Sequence, residues 1–137
     1  MLVGPDHANG AYQQYAEELG LGNRVIFTGW RSDIGQLLSM ADICVASSIR
    51  EGFGINLVEA MYANLPVVAV DNRGHRTVIK EGETGFLVPQ GDVEAMAKRV
   101  LQLMEDRALR DKFSAVDVEQ YNADVIARQL YHDITAL

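Results

Sequence analysis

The feature that most constrains the fold of this sequence is a continuous apolar run, Pro-Val-Val-Ala-Val, at residues 66–70. A strand without polar positions is typical of a parallel sheet whose two faces are both covered. Short β-like runs and helix-like runs alternate around it, with short connections. This order predicts an α/β fold, a Rossmann-like parallel sheet with helices on both faces.

The predicted strands and helices alternate up to about residue 90, after which the chain is predicted to be helical. The predicted strands are the tail of a strand at Leu2-Val3 and the segments 24–29, 42–47, 66–70 and 85–89. The predicted helices are 10–19, 33–40, 54–63, 92–104, 107–114 and 121–136. Because at most three residues of the first strand are present, we expect the chain to be a fragment of a larger protein.

Composition excludes several classes of function. The 137 residues carry a formal charge of -7, from 12 basic and 19 acidic side chains, which argues against a nucleic-acid partner. No apolar run is long enough to span a bilayer. The single cysteine, Cys44, excludes an internal disulfide and favours a reducing compartment, so we expect a cytoplasmic protein. Within its apolar strand Cys44 is interpreted as a small core residue.

The segment between strand 42–47 and helix 54–63 is the first candidate site. Ligands of this fold class bind beyond the carboxyl ends of the strands, where Ser47 to Phe53 are expected. Gly52 and Gly54 permit close approach of a ligand to the backbone. The first N–H groups of the following helix have no helical acceptor and favour an anion such as a phosphate. The alternative is a plain glycine-rich turn that enters a helix.

Two carboxylates belong to the same stretch. Glu59 and Asn56 are the only polar residues from Ile55 to Tyr62, and they lie three positions apart on one edge of the helix. A carboxylate on so apolar a helix requires partners, and the two hydroxyls of a ribose are suitable. The alternative is an ion pair with one of three basic residues, Arg24, Arg73 or Arg76.

Glu51 precedes the two glycines on the predicted loop. There it is suited to accept hydrogen bonds from a sugar or to stabilise a developing positive charge. The alternative is an exposed surface acid, which is the commoner role of a loop glutamate.

At this point the sequence resembles a known family. The ordered motifs EGFGINLVEAM, NLPVVAVDNRGH and EGETGFLVP, preceded by LVGPD and VIFTGW, are similar to the donor-binding half of retaining GT-B glycosyltransferases of family four. The resemblance covers nearly the whole chain. It implies the C-terminal half of a GT-B fold and transfer of a sugar from a nucleotide diphosphate to an acceptor hydroxyl, as in glycan or polysaccharide biosynthesis.

The resemblance also implies roles for individual residues. Glu59 matches the glutamate that holds the ribose, and Glu51 matches the glutamate that faces the transferred sugar, our candidate catalytic residue. The donor-binding positions implied around them are the backbone of Phe53, Gly54, Ile55 and Asn56 for the sugar and diphosphate. Trp30 and Arg31 are implied beside the nucleobase, mainly through backbone groups. The family needs no metal or other cofactor. The nearest metal-like pair here, Asp6-His7, is interpreted as part of a turn.

The sequence also departs from the family pattern. The first strand of the donor half, with the Arg and Lys that clamp the diphosphate, is absent, and so is the N-terminal acceptor domain. Relatives often carry a glutamate at the position of Thr77, after a glycine-rich loop expected at 71–77. His75 in that loop is expected to face solvent, and the alternative is that it approaches a ligand.

These departures lead to further expectations. We assign residues 1–117 to an incomplete nucleotide-sugar-binding domain and residues 118–137 to a helix that would cross toward the acceptor domain. Apolar surface left bare by the missing parts predicts dimers or larger species, and the isolated fragment is expected to be inactive. We expect the longer protein to act at the inner face of the membrane. The sequence leaves uridine and guanosine diphosphate donors open.

Two alternative functions are weighed against a transferase. One is a sugar-nucleotide epimerase of similar fold, which the pair of glutamates and the Glu-Ala-Met run disfavour. The other is a non-catalytic nucleotide-binding α/β domain, such as a receiver domain. A receiver requires an acidic pocket at the strand ends, whereas strand 42–47 ends in Ser-Ser.

Overall fold

A computed structural model of the chain describes residues 1–5 and 9–122. Its contacts divide the chain into two compact units, residues 1–36 and 37–137. The predictions for Asp6-His7 and for nearly all of helix 121–136, with His132 interpreted from the sequence as a surface residue, lie outside the described residues. The predicted domain boundary at 117/118 stays a prediction.

The first unit is held by a helix and a short parallel pairing of two segments. Helix α1 (Ala11–Glu18) follows Gly10, whose φ is 86°. Leu2 pairs with Phe27 in a single parallel bridge, so the predicted strand 24–29 is reduced to one bridged position. The Leu2 amide donates to the Ile26 carbonyl at 2.8 Å, and the Leu2 carbonyl accepts from the Thr28 amide at 3.0 Å.

The second unit contains a parallel sheet of three strands in the order β1-β2-β3 among the described residues. They are β1 (Cys44–Ala46), β2 (Val67–Val70) and β3 (Phe86–Val88). Val45 pairs with Val68 and Ala69 pairs with Leu87 in register. The prediction of a Rossmann-like parallel sheet is confirmed.

Helices connect and follow these strands. Helix α2 (Ile34–Ser39) begins in the first unit and ends in the second. In the second unit the helices are α3 (Ile55–Tyr62), α4 (Arg73–Val78), α5 (Val93–Glu105) and α6 (Arg107–Ser114), and a 3₁₀ turn spans Glu119–Tyr121. None of the described helices is long and apolar enough to cross a membrane.

The central strand explains why residues 66–70 are wholly apolar. Successive side chains of a strand point to opposite faces, and all four residues of β2 are buried. Val67 and Ala69 belong to a core with α3, whereas Val68 and Val70 belong to a second core with α5 and α6. The sheet is therefore covered by helices on both faces.

Helix α4 was not predicted, because residues 71–77 were expected to form a glycine-rich loop. The structure shows a six-residue helix that begins after Asn72, whose side-chain oxygen accepts from the His75 amide at 2.9 Å. An asparagine is among the strongest N-cap residues, since it satisfies one of the helix's first amides. The expectation that His75 faces solvent was wrong, because the residue is fully buried.

Candidate functional site

The candidate site lies on the loop that joins β1 to α3. The loop runs from Ser47 to Gly54 at the carboxyl end of β1, which is the edge where ligands bind in parallel α/β sheets. The next strand of the sheet, β2, leads at its own carboxyl end into Asn72 and α4. The site is therefore built from two neighbouring strand ends of the second unit.

The start of α3 offers unpartnered backbone donors. Gly54 is the N-cap residue with φ 85°, a conformation that side chains disfavour, and it provides no side-chain cap. Its carbonyl accepts from the Leu57 amide at 3.0 Å. Within the described part of the chain, the N–H groups of Phe53, Gly54, Ile55 and Asn56 have no hydrogen-bond acceptor. Free amides at a helix start attract anions.

Glu59 lies on the exposed edge of α3. The helix turns Leu57, Val58, Ala60 and Met61 into the core, and it leaves Ile55, Asn56, Glu59 and Tyr62 exposed. The sequence argument assumed that the apolar helix would make a carboxylate costly. The exposure of Glu59 removes that cost, so the residue needs no partner in order to be tolerated.

The alternative of an ion pair is not supported for the basic residues of the second unit. No ion pair joins Glu59 to Arg73 or Arg76 in the described structure, and Arg76 binds Asp71 instead. The Arg76 guanidinium holds the pKa of the Asp71 carboxyl below its usual range. Arg24 belongs to the first unit, and a pairing with it stays untested. Glu59 thus presents a carboxylate that is open to a ligand.

Glu51 is half-buried on the loop, and its backbone is closely packed. One of its carboxylate oxygens accepts from the Gly52 amide at 3.2 Å. Its carbonyl lies against Gly74 of α4, where an added methyl group would come within 2.4 Å of the carbonyl oxygen. The position of Glu51 is therefore set by backbone contact with α4.

Phe53 is 43% exposed and anchors the loop to the end of the described chain. Its ring meets that of Tyr121 edge to face, with centroids 5.8 Å apart. The Tyr121 hydroxyl donates to the carbonyl of Thr77 at 3.2 Å, and burial raises the pKa of this phenol. The Thr77 hydroxyl donates to the Gly74 carbonyl at 2.6 Å, and the Phe53 carbonyl lies 3.3 Å away.

Trp30 and Arg31, the residues predicted to flank the nucleobase, belong to the first unit. Trp30 is 75% exposed. The Arg31 guanidinium donates two hydrogen bonds to Asp33, with Nε–Oδ1 at 2.8 Å. This contact raises the pKa of Arg31 and lowers that of Asp33. The prediction for these two residues stays a prediction.

The described residues contain no group of three or more His, Cys, Asp or Glu side chains that is arranged to hold a metal ion. Cys44 is partly buried in β1, and burial raises the pKa of its thiol to about 11. The thiol is therefore protonated near neutral pH, which agrees with a packing role.

The sequence matches the family described as "Glycosyl transferases group 1" over residues 1–116. The chain belongs to this family. Among curated relatives it is 53% identical to the glycosyltransferase EpsD of Bacillus subtilis over 67% of the chain. It is 40% identical to the phosphatidyl-myo-inositol mannosyltransferase of Mycobacterium leprae over 81% of the chain. The predicted family resemblance is confirmed.

Solved structures agree with this membership. HepE of Anabaena in complex with UDP superposes with a TM-score of 0.88 over 99% of the chain, at 29% identity. The same protein was also solved with UDP-glucose. A sucrose-phosphate synthase of Thermosynechococcus elongatus gives a TM-score of 0.84 at 31% identity over 98% of the chain. The neighbours are GT-B glycosyltransferases, so the predicted fold is confirmed.

The chain spans only part of each of these proteins. It corresponds to 24% of EpsD and 31% of the mannosyltransferase, and to 40% of HepE and 38% of the synthase. The relatives support a glycosyltransferase over an epimerase or a receiver domain. The activity of the whole protein is the subject of the proposal below.

Asn72, Gly74 and Thr77 belong to the site but were not predicted as site residues, although Thr77 was noted as a departure from the family pattern. One signal was available for Asn72, since an asparagine after a strand is a strong N-cap. No local signal predicts that Gly74 contacts Glu51, because the contact joins residues 23 positions apart in different elements.

Proposed function

We propose that this chain forms the donor-binding part of a retaining glycosyltransferase, which moves a sugar from a nucleotide diphosphate to an acceptor hydroxyl. The observation that carries the proposal is the set of four amides from Phe53 to Asn56, which have no acceptor among the described residues and are followed along α3 by the exposed Glu59. Further support comes from HepE, a neighbour solved with UDP and with UDP-glucose.

In this proposal the start of α3 provides the electrostatic stabilisation of the diphosphate. The amides of Phe53 to Asn56 donate to the diphosphate, and the α3 dipole stabilises the charge that builds on it as the sugar leaves. The carboxylate of Glu59, one turn further along, accepts from the ribose hydroxyls. Glu51 faces the transferred sugar. No residue in this scheme requires a metal ion.

For the first unit the proposal rests on the family resemblance alone. Trp30 and Arg31 are assigned to the nucleobase. Uridine is the favoured base, because a structural neighbour at 29% identity was solved with UDP, and guanosine is the alternative. Parallel titrations with UDP and GDP distinguish the two bases. Backbone amide signals of Trp30 and Arg31 that stay in place at saturating UDP would contradict the nucleobase assignment.

The test of the donor site is a calorimetric titration of the chain with UDP, comparing wild type, Glu59→Ala and the control Glu94→Ala on α5. Hydrogen bonds to a charged group are worth about 1.5–3 kcal/mol, so Glu59→Ala should weaken binding by about 10- to 100-fold. The control should bind as wild type does. Equal affinity of Glu59→Ala and wild type would reduce Glu59 to a surface residue.

The retention of anomeric configuration and the transfer activity must be tested with the longer protein. We propose that it supplies the diphosphate clamp and an acceptor-binding domain, so the 137-residue chain alone should transfer no sugar. With the longer protein, an α-linked donor should give an α-linked product, as judged by NMR of the anomeric proton. An inverted product, or sugar transfer by the isolated chain, would contradict this part.

Localisation and association complete the proposal. We place the longer protein at the inner face of the membrane, in agreement with relatives whose names include phosphatidyl-myo-inositol and diphosphoundecaprenol acceptors. Membrane flotation of the longer protein tests this. For the isolated chain we propose self-association through exposed apolar side chains such as Val45, which is 48% exposed on β1. Light scattering that shows a monomer at high concentration would contradict it.

A further inference from the structure

The segment from Asn72 to Thr77 contacts the candidate loop at several points. Beyond the contact of Gly74 with Glu51 and of Thr77 with Phe53, two buried polar side chains take part, Asn72 and His75. Buried polar groups are costly unless they are hydrogen-bonded, so their arrangement indicates what they hold in place.

Asn72 uses both atoms of its amide. Its oxygen accepts from the His75 amide at 2.9 Å and so caps α4. Its nitrogen donates to the carbonyl of Ser48 at 2.8 Å, 24 residues earlier in the chain. One side chain therefore ties the start of α4 to the start of the candidate loop.

His75 is fully buried beside the other end of the loop. Its Nδ1 lies 2.6 Å from the carbonyl oxygen of Val70. A carbonyl only accepts, so Nδ1 carries a proton and donates to it. The Asn72 amide nitrogen, 3.0 Å from Nδ1, donates to Ser48 rather than to the ring. Within the described structure Nε2 has no partner.

The imidazole ring also packs against Gly54. A methyl group added at Gly54 would lie 3.2 Å from Cδ2 of His75, so the ring leaves no space for a side chain there. Gly54 is the residue whose φ of 85° starts α3. The bond from Nδ1 to Val70 thus fixes a ring that supports the turn carrying the free amides.

We propose that Asn72 and His75 are positioning residues, which hold the loop from Ser48 to Gly54 in the one conformation that presents Glu51 and the α3 amides to the donor. The inference rests on the proposed function for its ligand but not for the contacts themselves. Because only the competent conformation binds, loosening the loop should lower the apparent affinity by the fraction of competent molecules that is lost.

The first test measures the loop without ligand. The Asn72→Ser variant keeps an N-cap oxygen for α4 but cannot reach the Ser48 carbonyl. Backbone order parameters of the amides from Glu51 to Gly54 should fall from about 0.85 to below about 0.6. The control Asp92→Ser changes the cap of α5, which accepts from Ala95, and should leave the loop unchanged. An unchanged loop in Asn72→Ser would overturn the role of Asn72.

The second test separates the hydrogen bond of His75 from its volume. In His75→Asn the amide nitrogen lies two bonds from Cβ, as Nδ1 does, and it should preserve the donation to Val70. His75→Leu keeps similar bulk without a donor. The loop should stay ordered in the Asn variant and lose order in the Leu variant. A Leu variant with a wild-type loop would overturn the role of His75, and if that variant does not fold, a wild-type loop in His75→Ala, which lacks both the donor and the ring, would do the same.

The third test links the loop to the ligand. Titration with UDP-glucose should show about 10-fold weaker binding by Asn72→Ser than by wild type, whereas Asp92→Ser should bind as wild type does. Equal affinities would overturn the positioning for donor binding. A wild-type chain that binds neither UDP nor UDP-glucose would overturn the proposed function instead, and the order parameters would then decide the positioning of the loop by themselves.

Discussion

The two units of this chain differ in how their β-like segments are used. In the first unit, the sequence RVIFTG at 24–29 forms a single bridge at Phe27, and Ala16 is the one buried residue among those described in 1–36. In the second, residues 67–70 pair on both sides, and all four are buried between two cores. Both segments are rich in β-branched residues.

This difference shows that β propensity alone does not decide whether a segment becomes a strand. Propensity measures how well a side chain fits a pleated, half-buried surface, and that surface must be supplied by neighbours. The neighbours of β2 are β1 and β3, with helices above and below. The packing difference predicts that substitutions in the second unit cost far more than similar ones in the first.

The largest difference in stability between the two units should come from truncating a buried aromatic side chain in the second unit. Phe113 of α6 is 1% exposed and meets Phe86 edge to face, with ring centroids 5.0 Å apart. Phe113→Ala should lower the free energy of unfolding by about 3–5 kcal/mol, measured by urea denaturation. The matched change Ile26→Ala, at a residue 64% exposed, should cost no more than about 0.5 kcal/mol. Equal costs would break the comparison.

Cys44 reports on the packing of β1 without any substitution. Burial raises the pKa of its thiol from 9.0 to about 11, so the reactive thiolate is about 100-fold scarcer than in an unfolded chain. Alkylation by iodoacetamide at pH 8 should be slower by about that factor than in urea. A rate equal to that of the unfolded chain would show that β1 is as loosely packed as the first unit.

Alanine substitutions at two glycines should change the stability by smaller amounts and in opposite directions. An added methyl group at Gly85 would lie 2.6 Å from Val67 of β2, so Gly85→Ala should destabilise by about 1–3 kcal/mol. At Gly35, in α2, a methyl group meets nothing within 4 Å, so Gly35→Ala should stabilise by about 0.5–1 kcal/mol through helix propensity. Thermal melts of both variants check the signs, and two shifts in the same direction would contradict the packing argument.

The smallest expected effect concerns the stability of the fold at acid pH. The pKa of Asp71 is lowered by Arg76, so the pair stabilises the fold above the ordinary carboxyl pKa near 4, and this contribution is lost as the pH falls. Asp71→Asn should therefore flatten the acid side of the stability curve slightly, since the pair is exposed. Asp33→Asn should act likewise in the first unit. A steeper acid limb in either variant would contradict the assigned direction.

The sequence predicted the sheet well, because its signals are local. The run at 66–70 and the strand at 85–89 match β2 and β3 to within a residue at each end, and helix 107–114 matches α6. Helix α4 was missed because six residues that include Gly74 show no helical period. The burial of His75 was missed because it depends on the Val70 carbonyl and on Gly54, which pattern does not reveal.

The candidate site was predicted only in part, and from the order of motifs rather than from local signals. Motif order located Glu51, Glu59 and the turn between them, and the structure places this turn at the end of β1. The premise that a carboxylate on so apolar a helix requires partners was wrong for Glu59, because the helix presents this residue on its exposed edge. The sequence also predicted that the first N–H groups of the following helix lack helical acceptors, and the amides from Phe53 to Asn56 have none among the described residues.

The most direct test of the central claim, that the start of α3 receives a diphosphate beside Glu59, is a ¹H–¹⁵N NMR titration of the chain with UDP. We expect the amide signals of Phe53 to Asn56 to shift most within the second unit, and uridine alone to leave them in place. Equal shifts with uridine, or no shift at these amides when UDP is saturating, would contradict it.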